Sequence, residues 1–195
     1  MVYPVSSLGL VLAVCLAPAL AVHPRVILDS RTAVSIPFLS VAVILASQAV
    51  LASAGLYQRG PVLVLSLTLL VIASLRLWLL LRRHPETHWP PTHRYLLLFA
   101  GLLGVYWAAD LGSSGFDTND EIYSWNLWAL QHWRGEVPDF HYTQAPYPQG
   151  FAILLSWGYQ LLGDAELQLP LRAPLALFPV ALWTTIAIAP REASY

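Results

Sequence analysis

Residues 61–81 read PVLVLSLTLLVIASLRLWLLL, with Arg76 as the one charged side chain in the run. A bilayer core about 30 Å thick is crossed by roughly 20 apolar residues in helical form, and this stretch has that length. Four other segments follow the same logic. They run from about Val5 to Val22, from Ala33 to Tyr57, from Tyr95 to Leu111 and from Leu171 to Ala189. The expected fold class is therefore all-α: a polytopic membrane protein with about five transmembrane helices and one large outward loop carrying interfacial helices.

Composition supports a bilayer setting. Of 195 residues, 57% are hydrophobic and 11% charged, where a soluble domain carries about 25% charge. The net charge of −1 offers no basic surface for nucleic acid. Eight Trp and nine Tyr are many for this length, and such rings favour the membrane–water boundary. The single cysteine, Cys15, rules out an intramolecular disulfide and a cysteine-based metal site. A cleaved leader is not expected, because Met1 to Ser7 carry no basic residue.

Arginine placement gives an orientation. Arg25 and Arg31 follow the first span, and Arg82, Arg83 and Arg94 lie between the third and fourth. Placing both loops in the cytoplasm leaves Arg59 and Arg134 outside and returns Arg191 to the inside. Residues 112–170 then face the periplasm or an equivalent compartment, as expected for a bacterial inner-membrane protein. Phe151 to Leu162 is apolar but too short to span, and is expected to lie on or dip into the outer leaflet. Arg76, within a turn or two of the cytoplasmic end, is expected to snorkel. Two regions follow: 1–94, the N-terminal helices and cytoplasmic loop, and 95–195, a span, an acidic outward loop and a further span.

The stretch with chemical potential is Phe116-Asp117-Thr118-Asn119-Asp120-Glu121-Ile122-Tyr123, directly after the fourth span. It holds three of the eleven acidic residues in five positions. From Asp120 to Arg134 the pattern is helical. Asp120, Ser124, Gln131 and Arg134 form one narrow polar stripe flanked by Trp125, Trp128 and Trp133, as suits a helix at a membrane surface. Gly135 is the expected stop. A structural role competes for these acids. Thr118-x-x-Glu121 matches a capping box, Asp120 complements the helix dipole, and Asp117 fits a turn as well as it fits a second acid. Chemically, a carboxylate at the interface can act as a general base or hold a divalent cation near a lipid phosphate; Asp120 and Asp117 are the candidates for the cation. Asp110 ends the fourth span where water can reach it. His132 and His141 are weaker ligand candidates, and Tyr142 and Tyr147 read as interface anchors.

These motifs resemble the C-type glycosyltransferase superfamily, in particular its protein mannosyltransferase and aminoarabinose transferase-like group. The resemblance covers about residues 95–189. It rests on Asp120-Glu121-Ile122-Tyr123 after a span, on Ala145-Pro146-Tyr147-Pro148-Gln149-Gly150-Phe151, on Leu161-Leu162-Gly163-Asp164, and on Leu171-Arg172-Ala173-Pro174-Leu175 opening the next span. Departures are Tyr147-Pro148 where the family has Pro-Pro, and three spans ahead of the matched region. The resemblance implies a polyprenyl-phosphate sugar donor and catalytic roles for Asp120, as base or metal holder, and for Glu121 beside it. It also implies that further spans follow, so the chain is expected to be the front part of a larger enzyme. The competing reading is a non-enzymatic membrane scaffold or assembly subunit. A transporter fits less well, because the span centres lack midplane polar residues.

Overall fold

A computed structural model describes residues 9–28, 30–83, 91–111, 125–136, 150–164 and 177–188, and all regular structure among them is helical. Seven helices are numbered here: α1 (Val11–Val22), α2 (Ile36–Ser53), α3 (Arg59–Arg83), α4 (Pro91–Leu111), α5 (Leu127–Arg134), α6 (Gly150–Leu162) and α7 (Leu177–Ile188). A 3₁₀ turn at Pro24–Leu28 and a single helical turn at Ser30–Ala33 join α1 to α2.

Local chemistry explains the helix boundaries. Pro37 and Pro61 sit in the first turns of α2 and α3, where a missing N–H costs nothing. From Val62 to Arg83 no Gly or Pro interrupts α3, which reaches 25 residues. α1 is less regular: Val11–Leu16 is wound as a π-helix and Pro18 follows at once. Proline disrupts the normal ladder, and such a site needs its freed groups met elsewhere. Here the Ala19 N–H donates to Ser40 Oγ on α2 at 3.1 Å. The small residues Ala17, Ala19 and Ala21 bring α1 close to Ile36 and Ala73, the close backbone approach typical of membrane helix pairs.

α2 and α3 are the two helices among the described residues that by length and apolarity can cross a membrane. Only 22% of the most apolar stretch of α2, and 17% of that of α3, is buried against the rest of the protein. The core helix of a soluble domain would be mostly covered. These helices instead turn Val50, Val64, Leu67, Val71 and Leu75 outward. The described parts of the first and last expected spans, α1 and α7, have 12 residues each, and the flanks of both expectations lie outside the described residues.

The expected surface helices sit elsewhere. Ala152 and the run Leu154–Gln160 of α6 are buried, and its contacts fix its direction. Phe151 and Leu154 share an apolar groove with Phe38 and Val41 near the start of α2. At the other end, Gln160 and Gly163 share a cleft with Gln48 and Arg59. Trp157 bonds Ser66, seven residues into α3. α6 therefore runs alongside α2, antiparallel to α3, and stands within the bundle. α5 stands beside it in the same sense: Trp125, just ahead of α5, stacks on Phe151 at 5.1 Å, and the Trp133 carbonyl meets Gln160. Trp128 is wholly buried within the protein. The sequence pattern misleads because α6 is short and α5 has one polar stripe; both are read as surface helices when neighbouring helices cover them.

Polar side chains stitch this arrangement together. The Trp157 indole N–H donates to Ser66 Oγ at 3.1 Å. Tyr57 and Ser156 share a hydroxyl hydrogen bond of 2.9 Å. Tyr159 donates to Asn126 Oδ1, and Gln160 Nε2 donates to the Trp133 carbonyl at 3.0 Å. Away from this seam, Arg76 Nη1 donates to the carbonyls of Ala21 and Val22 at 2.6 and 3.1 Å. Arg76 thus serves as a charged cap for the C-terminus of α1, a role more specific than the expected snorkelling. It also sets the end of α1 beside the C-terminal part of α3, so the connection after α1 and the Arg82–Arg83 end of α3 share one end of the bundle.

A double-mutant cycle on Trp157→Phe and Ser66→Ala should give a coupling of about 0.6 kcal/mol, the average for interhelical hydrogen bonds in membrane proteins, and not above about 1.7 kcal/mol. Reversible unfolding of the reconstituted protein measures it.

Candidate functional site

Three helices end at one place. α2 closes on Gly55, α5 on Gly135 and α6 on Gly163, with φ of 67°, 76° and 73°. These are the positive-φ residues of the described structure, and left-handed backbone is where glycine carries no steric penalty. At Gly55 the Leu56 N–H bonds the Leu51 carbonyl and the Gly55 N–H bonds that of Ala52. At Gly135 the Glu136 N–H bonds the Gln131 carbonyl and the Gly135 N–H bonds that of His132. Both are Schellman caps. Gly163 makes the simpler left-handed cap, its N–H bonding the Tyr159 carbonyl at 2.7 Å.

All three caps line a cleft of about 650 Å³ together with Gln48, Tyr57, Gln58, Arg59, His132, Trp133, Arg134, Glu136 and Gln160. α3 begins here at Arg59. The Arg59 guanidinium lies against Gly163, where an added Cβ would collide with it. Arg59, Arg134 and Glu136 stand among the lining side chains, and helix C-termini favour nearby cations. Tyr57 lies in the turn outside both long helices. Burial pushes its hydroxyl up to about 12, against the opposing effect of the Ser156 hydrogen bond, so it is a neutral donor or acceptor and not a base at ordinary pH.

Several expected site residues can be placed. Arg134 and His132 face this cleft, and Gly135 ends α5 as expected. The Leu161-Leu162-Gly163-Asp164 phrase is a helix stop whose glycine touches Arg59. Asp117, Asp120, Glu121, Tyr123, His141, Tyr142, Tyr147 and the Pro-rich phrase 145–149 lie outside the described residues, as does the side chain of Asp110. Among the described residues no three His, Cys, Asp or Glu side chains form a metal-holding group. The expected cation therefore rests on carboxylates outside that set.

Sequence reading missed Gln48, Gln58, Arg59 and Gln160. One signal was available: Gln48 is the sole carboxamide in the apolar run 33–57, and a polar side chain inside such a run normally serves an interhelical contact or a site. Comparison with known proteins finds no matching family model, no similar curated protein and no similar solved structure.

Gly55→Ala, Gly135→Ala and Gly163→Ala should each destabilise the fold by about 1–2 kcal/mol through the left-handed backbone. Gly163→Ala should cost no more than the others, because the group it displaces is the flexible tip of Arg59. Unfolding in detergent checks both statements.

Proposed function

We propose that the chain is the N-terminal part of a membrane glycosyltransferase that moves a sugar from a polyprenyl-phosphate-type donor to an acceptor on the non-cytoplasmic side. In this reading α2 and α3 cross the membrane, α1, α4 and α7 belong to three further crossings, and the 112–170 segment faces the periplasm of a bacterial inner membrane. Asp120 acts as the base or holds a divalent cation near the donor phosphate, with Glu121 beside it.

The observation that carries the reading is the company kept at the Arg59 end of the bundle. Arginine counting assigns the α2–α3 turn and residues 112–170 to the same side of a membrane. Of that segment, residues 132–136, 160 and 163 adjoin residues 55–59 around one polar cleft, while Gly150 and Phe151 lie beside Phe38 near the start of α2. The opposite end gathers the connection after α1 and the C-terminal part of α3, through Arg76. Further support comes from the outward apolar surfaces of α2 and α3, and from the acidic motif only a few residues ahead of α5. A polar cleft at the edge of an apolar bundle is where a lipid-borne donor and a water-borne acceptor can meet.

Asp120→Asn in the complete protein should reduce sugar transfer at least a hundredfold, the usual contribution of a general base, while membrane insertion persists. Radiolabelled sugar transfer from a polyprenyl-phosphate donor in membranes checks this, and full activity in the variant would remove Asp120 from the mechanism.

A further inference from the structure

Among the described residues seven polar side chains are buried: Ser40, Gln48, Ser66, Asn126, Ser156, Gln160 and Thr184. Six have hydrogen-bond partners. Ser40 receives the Ala19 N–H, Ser66 the Trp157 indole and Asn126 the Tyr159 hydroxyl. Ser156 pairs with Tyr57, Gln160 reaches the Trp133 carbonyl, and Thr184 bonds the Val180 carbonyl of its own helix. Gln48 is the exception. It is 6% exposed, and its carboxamide makes no hydrogen bond to any described residue. A buried amide left unmatched is destabilising, so a native orphan of this kind needs an explanation.

Gln48 faces the cleft at the Arg59 end, as do Gln58 and Gln160. Each carboxamide offers both a donor and an acceptor. That pair matches a hydroxyl group, which does the same. Trp133 and Tyr57 add aromatic surface to the walls. We propose that this cleft binds a hexopyranose, with the Gln48 carboxamide meeting sugar hydroxyls at its floor and Gln58 at its rim. The inference rests on the proposed glycosyltransferase reading and deepens it by naming where the sugar sits. The same chemistry is offered by a soluble glycoside and by the headgroup of a glycolipid.

Thermal unfolding of the full chain in lipid nanodiscs tests it. One arm adds methyl β-glucopyranoside in solution; the other builds glucosyl-diacylglycerol into the bilayer. Either arm should raise the wild-type midpoint saturably, since a ligand that binds only the folded state stabilises it by mass action, and the arm that does so identifies the source. Gln48→Leu should raise the midpoint of the ligand-free protein, because the orphan amide is gone, and should abolish the rise caused by sugar. Gln58→Ala, at an exposed position, should weaken the sugar-induced rise while leaving the ligand-free midpoint unchanged. The proposal is overturned if neither sugar shifts the wild type, if both variants respond as the wild type does, or if inorganic phosphate shifts it in place of sugar. Any of those results, beside an Asp120→Asn variant that still loses transfer, would move the sugar elsewhere and leave the glycosyltransferase reading standing.

Discussion

The structure depends on α6 being held by side chains that reach across helices. Ser156, Trp157, Tyr159 and Gln160 each bond a different neighbour: the α2–α3 turn, the body of α3, the residue ahead of α5 and the backbone of α5. In the proposed membrane setting association brings no hydrophobic gain, since lipid tails are as apolar as leucine. Packing and hydrogen bonds must supply what burial supplies in water. A buried helix bearing four polar anchors on adjacent turns meets that requirement, and it fixes depth and direction as well as proximity. Trp157 against Ser66 sets the register with α3. Phe151 near Phe38 sets the register with α2.

From that register the cleft follows. Because α6 runs alongside α2 and α5, their C-termini arrive together at the turn that starts α3. Each end needs a left-handed residue, and glycine stands at each. Converging carbonyl ends would repel one another if nothing positive lay between them; Arg59 and Arg134 are the cations at that place. Positive charge is favoured at helix C-termini, and the Arg59 guanidinium lies against Gly163 at the end of α6. What remains for a ligand is the hydrogen-bonding capacity of Gln48, Gln58 and Gln160.

Part of the fold was legible in the sequence because it depends on length and apolarity alone: the chain is helical, and of the five expected spans two, α2 and α3, are long and apolar enough to cross a membrane among the described residues. The run 61–81 became the longest helix, Gly135 stopped α5, and residues 151–162 formed a helix of about the expected extent. What the sequence hid was depth. A 13-residue apolar helix is about 20 Å long, too short to span alone, and nothing in its own residues says that α2, α3 and α5 cover it. The cleft was hidden for a similar reason: Gln48, Arg59 and Gln160 are far apart in the chain, and only the parallel course of α2 and α6 brings them together. The acidic motif read most readily for chemistry, around Asp120 and Glu121, lies outside the described residues, so its role rests on resemblance and on its place just ahead of α5.

The central claim is that α3 crosses a membrane, with the cleft on the outer side and the Arg82–Arg83 end inside. Substituted-cysteine labelling tests it most directly, in a Cys15→Ala background with either Gln58→Cys or Arg83→Cys. An impermeant maleimide applied to intact cells should label Gln58→Cys and leave Arg83→Cys untouched until the membrane is opened. Labelling of both positions from the same side would contradict the account, because the helix between them would then not cross.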